Sequence, residues 1–436
     1  MFFAFILYSM GKFFYTVFLQ LYRLGALVIS PFNNKAKLWI KGRKNIFDTI
    51  EKKLVNDHNP RIWIHCSSLG EFEQARPLIE LLKKTYSNCS IVLTFFSPSG
   101  YEYRKNYAGV DHIFYLPFDS SQNAQKFLDV THPRLVIFIK YEFWYYYLTE
   151  AKKRNIALLL VSAVFRNNQP FFQWYGHFHL AMLDCFTHVF VQNESSLKLL
   201  EKIDFKKASI SGDTRFDRVL EVAHNFKHFP EIENFCTGKT VIVAGSTWPE
   251  DDEALDHYAN THPDLRFIIA PHDIGETRLK ECEKLYHFSI RYSQFVQEKQ
   301  KTEVPVFDIQ NRNANTLIID NIGSLKYLYA YATICYVGGA FGGDGVHNVL
   351  EAAVYSKPVV FGPVYEKYSE AVELEKEGGA FSVIDTIELE ETFNELLEDE
   401  NLYNSAATSA GKYVQSKTGA TENVIRYIQE KRLLTN

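Results

Sequence analysis

The chain has 436 residues, 46% of them hydrophobic and 23% charged, proportions that suit a globular protein of two or three domains. Its formal net charge of -5 argues against attraction of the whole molecule to nucleic acid. Six cysteines without a CxxC pair read as structural thiols in a reducing compartment, and argue against a disulfide framework or a metal site. The first element in the chain differs from the rest. MFFAFILYSMGKFFYTVFLQLYRLGALVISPF carries only Lys12 and Arg23 among its apolar residues and lacks a small-residue cleavage site, so residues 1–31 read as a membrane-associated helix. About 20 apolar residues suffice to span a bilayer. Lys12 and Arg23, however, stand eleven residues apart on one helical face, which suits a helix lying in the interface. A third placement is a helix packed on the soluble part. Lys35, Lys37, Lys41, Arg43 and Lys44 follow, a basic cluster expected to stay cytoplasmic and touch anionic phospholipid headgroups.

From Arg61 onward short apolar runs alternate with amphipathic helical stretches. Strands are predicted at 62–66, 91–96, 112–118, 135–140, 156–163, 188–193 and 208–212. Segment 213–238 is polar and lacks strand patterns, so it reads as a linker. The alternation restarts at 240–246, 265–271, 316–320, 333–339, 358–363 and 380–384, and the tail from about 387 to 432 reads as two helices. Continuous apolar runs separated by helices predict parallel sheets covered on both faces. The expected organisation is α/β: two doubly wound domains, 32–212 and 239–436, facing a cleft.

In such sheets ligands bind beyond the carboxyl ends of the strands, so the polar residues there are the candidates. SSLGEFE places Glu71 at a helix start, where it serves either as a general base or as a first-turn acid capping with Ser68. KYEFW reads as extended, sending Lys140 and Glu142 to opposite faces, and SGDTRFD places Arg215 at the linker entry. In the second half, AGSTWPEDDE offers Ser246 and Thr247 as helix caps or phosphate ligands. Pro271–His272 and Ile322–Gly323–Ser324 end or follow further strands. The densest stretch is CYVGGAFGGDGVHNVLEAAVYSKPVVFGP, read as strand, glycine loop, a helix over His347–Tyr355, and strand. Its helix start would seat a phosphate, and Asn348 and Glu351, three apart on one face, would take the hydroxyls of a ribose.

WIKGRK, SSLGE, KYEFW, GDTRFD, AGST, APH, DNIGSL, GGAFGGDGVHNVLEAA and FGP, in this order and spacing, resemble the 3-deoxy-D-manno-octulosonic acid (Kdo) transferases of Gram-negative bacteria. The resemblance implies the GT-B glycosyltransferase fold and transfer of Kdo from CMP-Kdo to the lipid A precursor at the cytoplasmic face of the inner membrane. It implies that Glu71 is the proton acceptor, and that Pro271–His272, Ile322–Ser324 and Asn348–Val349–Leu350–Glu351 bind CMP. Lys140 stands where the family commonly has an acid assigned to transition-state support, and Glu142 is the acid retained. Arg215 replaces a lysine, and the arginine of the PRH motif is lost as Pro271–His272–Asp273. The leaving group has a single phosphate, so no metal or other cofactor is expected. Two rival readings are a GT-B enzyme using another nucleotide sugar and a membrane-anchored binding protein with a degenerate site.

Overall fold

The structure, a computed structural model, describes residues 2–301, 314–343 and 345–434. It divides into two compact units, Met1–Arg218 with Thr418–Asn436, and Val219–Lys417. The first is built on seven parallel strands: β1 (Arg61–Cys66), β2 (Ser90–Phe95), β3 (His112–Tyr115), β4 (Pro133–Ile139), β5 (Ala157–Ala163), β6 (His188–Val191) and β7 (Ala208–Ile210). Their order is β3-β2-β1-β4-β5-β6-β7. Alternate residues feed two separate cores. Trp63, Val136, Phe138, Leu158 and Leu160 pack on one face. Ile62, Ile64, Leu135, Ile137 and Leu159 pack on the other. Burial on both faces is why these strands read as unbroken apolar runs.

The second unit repeats the plan with β8 (Val241–Thr247), β9 (Arg266–Pro271), β10 (Ser289–Arg291), β11 (Thr316–Ile318), β12 (Ile334–Val337), β13 (Val359–Phe361) and β14 (Ala380–Ser382). The order is β10-β11-β9-β8-β12-β13-β14. The sequence analysis anticipates all of these strands except β10, whose three residues include one apolar side chain, Ile290. The order reverses between β1 and β4 in the first sheet and between β8 and β12 in the second, where short β10 also sits outside β11 at the edge. The crevice beyond the strand ends at such a reversal is the expected ligand position.

Several local expectations change. Segment 213–238, expected as a linker, contains the boundary between the units and forms helices Thr214–His224 and Pro230–Cys236, which bury Phe216, Val219, Val222, Ile232 and Phe235. The tail is three helices, Thr386–Glu398, Glu400–Ser416 and Ala420–Glu430. The last belongs to the first unit, not to the second as its position in the chain suggests. Its Val424, Ile425 and Ile428 join the core that holds Ile62, Ile64 and Phe72. Asp217 accepts from the backbone N–H groups of Gly419 at 2.6 Å and Thr421 at 2.7 Å, capping its first turn.

The N-terminal helix, Phe2–Ile29, holds to the first unit along one stripe. The Tyr8 and Tyr145 hydroxyls lie 2.6 Å apart, Gly11 lies against Phe178, and Tyr15 donates to buried Asp119 at 2.5 Å. Leu19 packs with Trp39 and Phe118. These positions recur every three or four residues, the spacing of one helical face. Phe13, Phe14, Phe18, Leu21, Leu24 and Val28 stay exposed on the remaining surface. The stretch Ile6–Ile29 is long and apolar enough to cross a membrane.

Candidate active site

At the reversal point of the first sheet, Ser67 and Ser68 leave β1 and open the helix Leu69–Thr85. The Ser68 hydroxyl accepts from the Glu71 N–H at 3.4 Å, and the Glu71 carboxylate accepts from the Ser67 N–H. The capping alternative for Glu71 is therefore realised, and its carboxylate is half-buried at the start of the helix. Burial first, and the negative charge of Glu142 second, push its pKa up to about 8, against the Ser67 N–H and the charge of Lys140.

Beyond β4, Lys140 adopts a left-handed conformation, φ 66°, and the chain turns instead of running on. Lys140 and Glu142 are not opposed: both charges act on Glu71. Positions two apart share a face even in an extended segment, so the opposite-face expectation fails there too. Glu142 is buried and accepts from the Trp144 indole, with its Oε2 3.1 Å from His65 Nε2. His65, fully buried on β1, was missed by the sequence reasoning. Its Nδ1 lies 2.8 Å from the Thr94 hydroxyl oxygen, which accepts from the Trp63 indole at 2.8 Å. The Trp144 indole N–H also lies 3.1 Å from His65 Nε2, so His65, Glu142 and Trp144 form one buried cluster. Alternation of His65 with apolar neighbours in IWIHC was the available signal.

Arg215 donates through Nε to Asp213 at 2.7 Å, and Gln74 donates to the same Asp213 at 3.3 Å. Gln74 sits three residues after Glu71 on one helix, so it shares a face with Glu71. The structure thus gathers Glu71, Lys140 and Glu142 as one charged group, with Arg215 tied to the helix that carries Glu71.

In the second unit the corresponding reversal point carries small residues and rings. Ser246 has φ 56°, and Thr247 is buried. Asp251, fully buried in the first turn of Pro249–Thr261, accepts from the N–H groups of Gly339 at 2.7 Å and Trp248 at 2.9 Å, and from the Tyr336 hydroxyl at 2.7 Å. It pins the glycine loop to the helix start. Gly338 admits no side chain there, because a Cβ would come 2.6 Å from the Ser246 carbonyl oxygen. Trp248, His272 and His347 form a ladder, with His272 centred 4.8 Å from Trp248 and 4.7 Å from His347. The Trp248 indole donates to His347 Nε2 at 3.0 Å, so that nitrogen is unprotonated and the ring proton resides on Nδ1. Trp248 and His347 carried no role in the sequence reading.

The helix expected over His347–Tyr355 is only Leu350–Ala353. Val346 and His347 instead bond to the loops around them, through Val364 and Gly338, and Pro358 follows closely. Asn348 therefore precedes the helix, yet its Nδ2 still donates to Glu351 at 3.1 Å while its Oδ1 accepts from Leu350 N–H. Val349 and Leu350 are fully buried, so their side chains serve the core. Pro271 ends β9, Ile322 is exposed, and Gly323 has φ 93° before Ser324, whose hydroxyl bonds Asn321.

Two doubly wound units with these sheet orders define a protein of the GT-B fold. The likeness to UDP-GlcNAc 2-epimerase from Neisseria meningitidis speaks for the fold alone, at a TM-score of 0.61 and 16% identity over 85% of this chain and 100% of that one. Residues 41–218 match the protein-family model described as 3-deoxy-D-manno-octulosonic-acid transferase (kdotransferase). The 3-deoxy-D-manno-octulosonic acid transferase of Aquifex aeolicus is 26% identical over 342 residues, covering 77% of this chain and 86% of that protein. The Rickettsia prowazekii transferase of the same name is 28% identical over 316 residues, covering 70% of this chain but 65% of its own length. The chain is similar to the Kdo transferases, over residues 41–218 by the family model and over 70% and 77% of its length by these two relatives, and that similarity supports a glycosyltransferase.

Proposed function

We propose that the protein is an inverting glycosyltransferase that moves Kdo from CMP-Kdo to the lipid A precursor (lipid IVA) during lipopolysaccharide synthesis. The observation that carries this reading is the environment of Glu71: a half-buried carboxylate at a rigid turn, beside a second carboxylate, with its pKa raised to about 8. Such a group is a stronger proton acceptor than an ordinary glutamate and still ionises near neutral pH. Glu71 takes the proton from an acceptor hydroxyl as that oxygen bonds to the anomeric carbon of Kdo. The bond from that carbon to the CMP phosphate breaks, and CMP leaves with the electron pair from the opposite face. Lys140 offsets the field of Glu142 and helps Glu71 ionise, while Arg215 stabilises charge on the departing phosphate.

The second unit holds the cytidylate. Ser246 and Thr247 contact phosphate, His272 and Ile322–Ser324 surround the base, and the Asn348–Glu351 pair takes the ribose hydroxyls. The similarity to the Kdo transferases and the ring-and-hydroxyl character of that rim support this division. The N-terminal helix holds the enzyme on the cytoplasmic face of the inner membrane, lying in the interface, because one of its faces is already occupied by the soluble unit. The test is transfer by purified protein from CMP-Kdo to lipid IVA in mixed micelles. Product is expected with the wild type and none with Glu71→Gln, while CMP binding persists; full transfer by that variant removes the assigned base.

A further inference from the structure

Beside the C-terminal half of the N-terminal helix lies a cavity of about 570 Å3 within the first unit. Five lining side chains are cations, Arg23, Lys41, Arg43, Lys44 and Lys126, against the one carboxylate of Asp48. Lys126 is paired with Glu51 at 3.1 Å. Arg23, Lys41 and Lys44 have no ion-pair partner among the described residues. Arg43 is fixed in place. Its nitrogens donate to the carbonyls of Leu116 at 2.9 Å, Trp39 at 3.1 Å and Phe96 at 2.7 Å. Its guanidinium lies 4.2 Å from the Trp39 ring centre and 5.0 Å from those of Phe96 and Tyr115. No carboxylate balances this charge among the described residues. Burial pushes its pKa down to about 9, which marks a cation short of a counter-ion. The indole N–H of Trp39, buried in the same wall, has no hydrogen-bond partner.

The cavity also has apolar walls from Leu27, Trp39 and Phe118, and the exposed Leu24, Val28 and Ile29 continue from it along the helix. A fixed guanidinium, three unpaired cations and an unused donor next to an apolar surface suit a compact dianion attached to hydrocarbon. We propose that this cavity is a phosphate subsite, holding a phosphomonoester group of an amphiphilic lipid whose acyl chains lie along the exposed face of the N-terminal helix. The inference rests on the reading of the acceptor as a membrane lipid, and it adds that this lipid carries a phosphomonoester that the cavity holds.

Binding is measured directly by co-sedimentation of the full chain with vesicles, so failure here leaves the proposed transfer standing. The probes are phosphatidylcholine vesicles carrying phosphatidic acid, a phosphomonoester, or phosphatidylglycerol, a phosphodiester, at matched surface charge. The wild type is expected to bind the phosphatidic acid vesicles about tenfold more tightly. Lys41→Ala with Lys44→Ala, both exposed positions, is expected to abolish that preference, while Lys198→Ala with Lys206→Ala leaves it intact. Equal binding of the two lipids by the wild type overturns the proposal, as does a preference that survives in the Lys41/Lys44 variant. Inorganic phosphate is expected to weaken the wild type's preference for phosphatidic acid more than chloride does at equal ionic strength, and equal effects of the two salts overturn the phosphate subsite.

Discussion

The two sheets reverse strand order at equivalent places, yet the chemistry gathered there is opposite in kind. At the ends of β1 and β4 stand two carboxylates and a lysine, with the charges of Glu142 and Lys140 acting in opposite directions on Glu71. At the ends of β8 and β12 stand glycines, hydroxyls and a ladder of stacked rings, with the glycine loop pinned by buried Asp251. One fold plan thus carries a carboxylate of raised pKa in the first unit and a rim of rings and small residues in the second. The difference follows from what each half is proposed to do: proton removal needs a poised pKa, whereas holding a nucleotide needs close backbone approach and flat surfaces.

The contrast is broken most directly at Glu71. Glu71→Gln is expected to lower transfer about 100- to 10,000-fold, the range for a lost general base, while CMP affinity measured by calorimetry stays unchanged. A second readout follows from the sign of the shift. The folded pKa of about 8 lies above the usual 4.5, so this group's contribution to stability falls as pH rises between those values. The glutamine variant is therefore expected to melt higher than wild type at alkaline pH, and the gap should close toward pH 5.

Glu142 sharpens the comparison. Glu142→Gln removes the like charge, so the acid limb of the transfer rate should move about one pH unit lower. An unmoved limb in the pH–rate profile would show that Glu142 does not tune Glu71. In the second unit the effects are smaller because no charge is at stake. Trp248→Phe keeps the stacked ring but loses the donor to His347, and CMP should dissociate about three- to tenfold more readily, the cost of one hydrogen bond. Nitrogen-15 spectra of His347 should then show Nε2 protonated in a larger fraction of molecules. Least affected is activity on replacing Asp217, which caps the last helix: Asp217→Ala should cost about 1–2 kcal/mol in denaturant unfolding with CMP affinity retained.

The positions of the proposed site residues were legible because strand ends in a parallel sheet are marked by apolar runs stopping at small or polar residues. Glu71, Ser246, His272 and the Asn348–Glu351 pair were singled out in this way, and the structure puts each of them at or after the end of a strand. His65 was not, since one histidine inside IWIHC gives no sign that it will meet Glu142, 77 residues away. Trp248 and His347 escaped for the same reason, being 99 residues apart before the fold stacks them. The overlong helix after the glycine loop shows the converse error: the pattern from His347 to Tyr355 is helical, but the His347 N–H bonds the Gly338 carbonyl and the helix forms only at Leu350–Ala353.

By itself the sequence determined the two-unit α/β plan, the likeness to the Kdo transferases and the apolar N-terminal helix, because period, strand-end composition and motif order are local properties of the chain. Only the tertiary structure decided which charges share a site, how Glu71 is poised, and that the final helix returns to the first unit through Asp217 and the Val424–Ile428 face. Those outcomes depend on burial and on contacts between distant segments. Neither exists until the chain has folded.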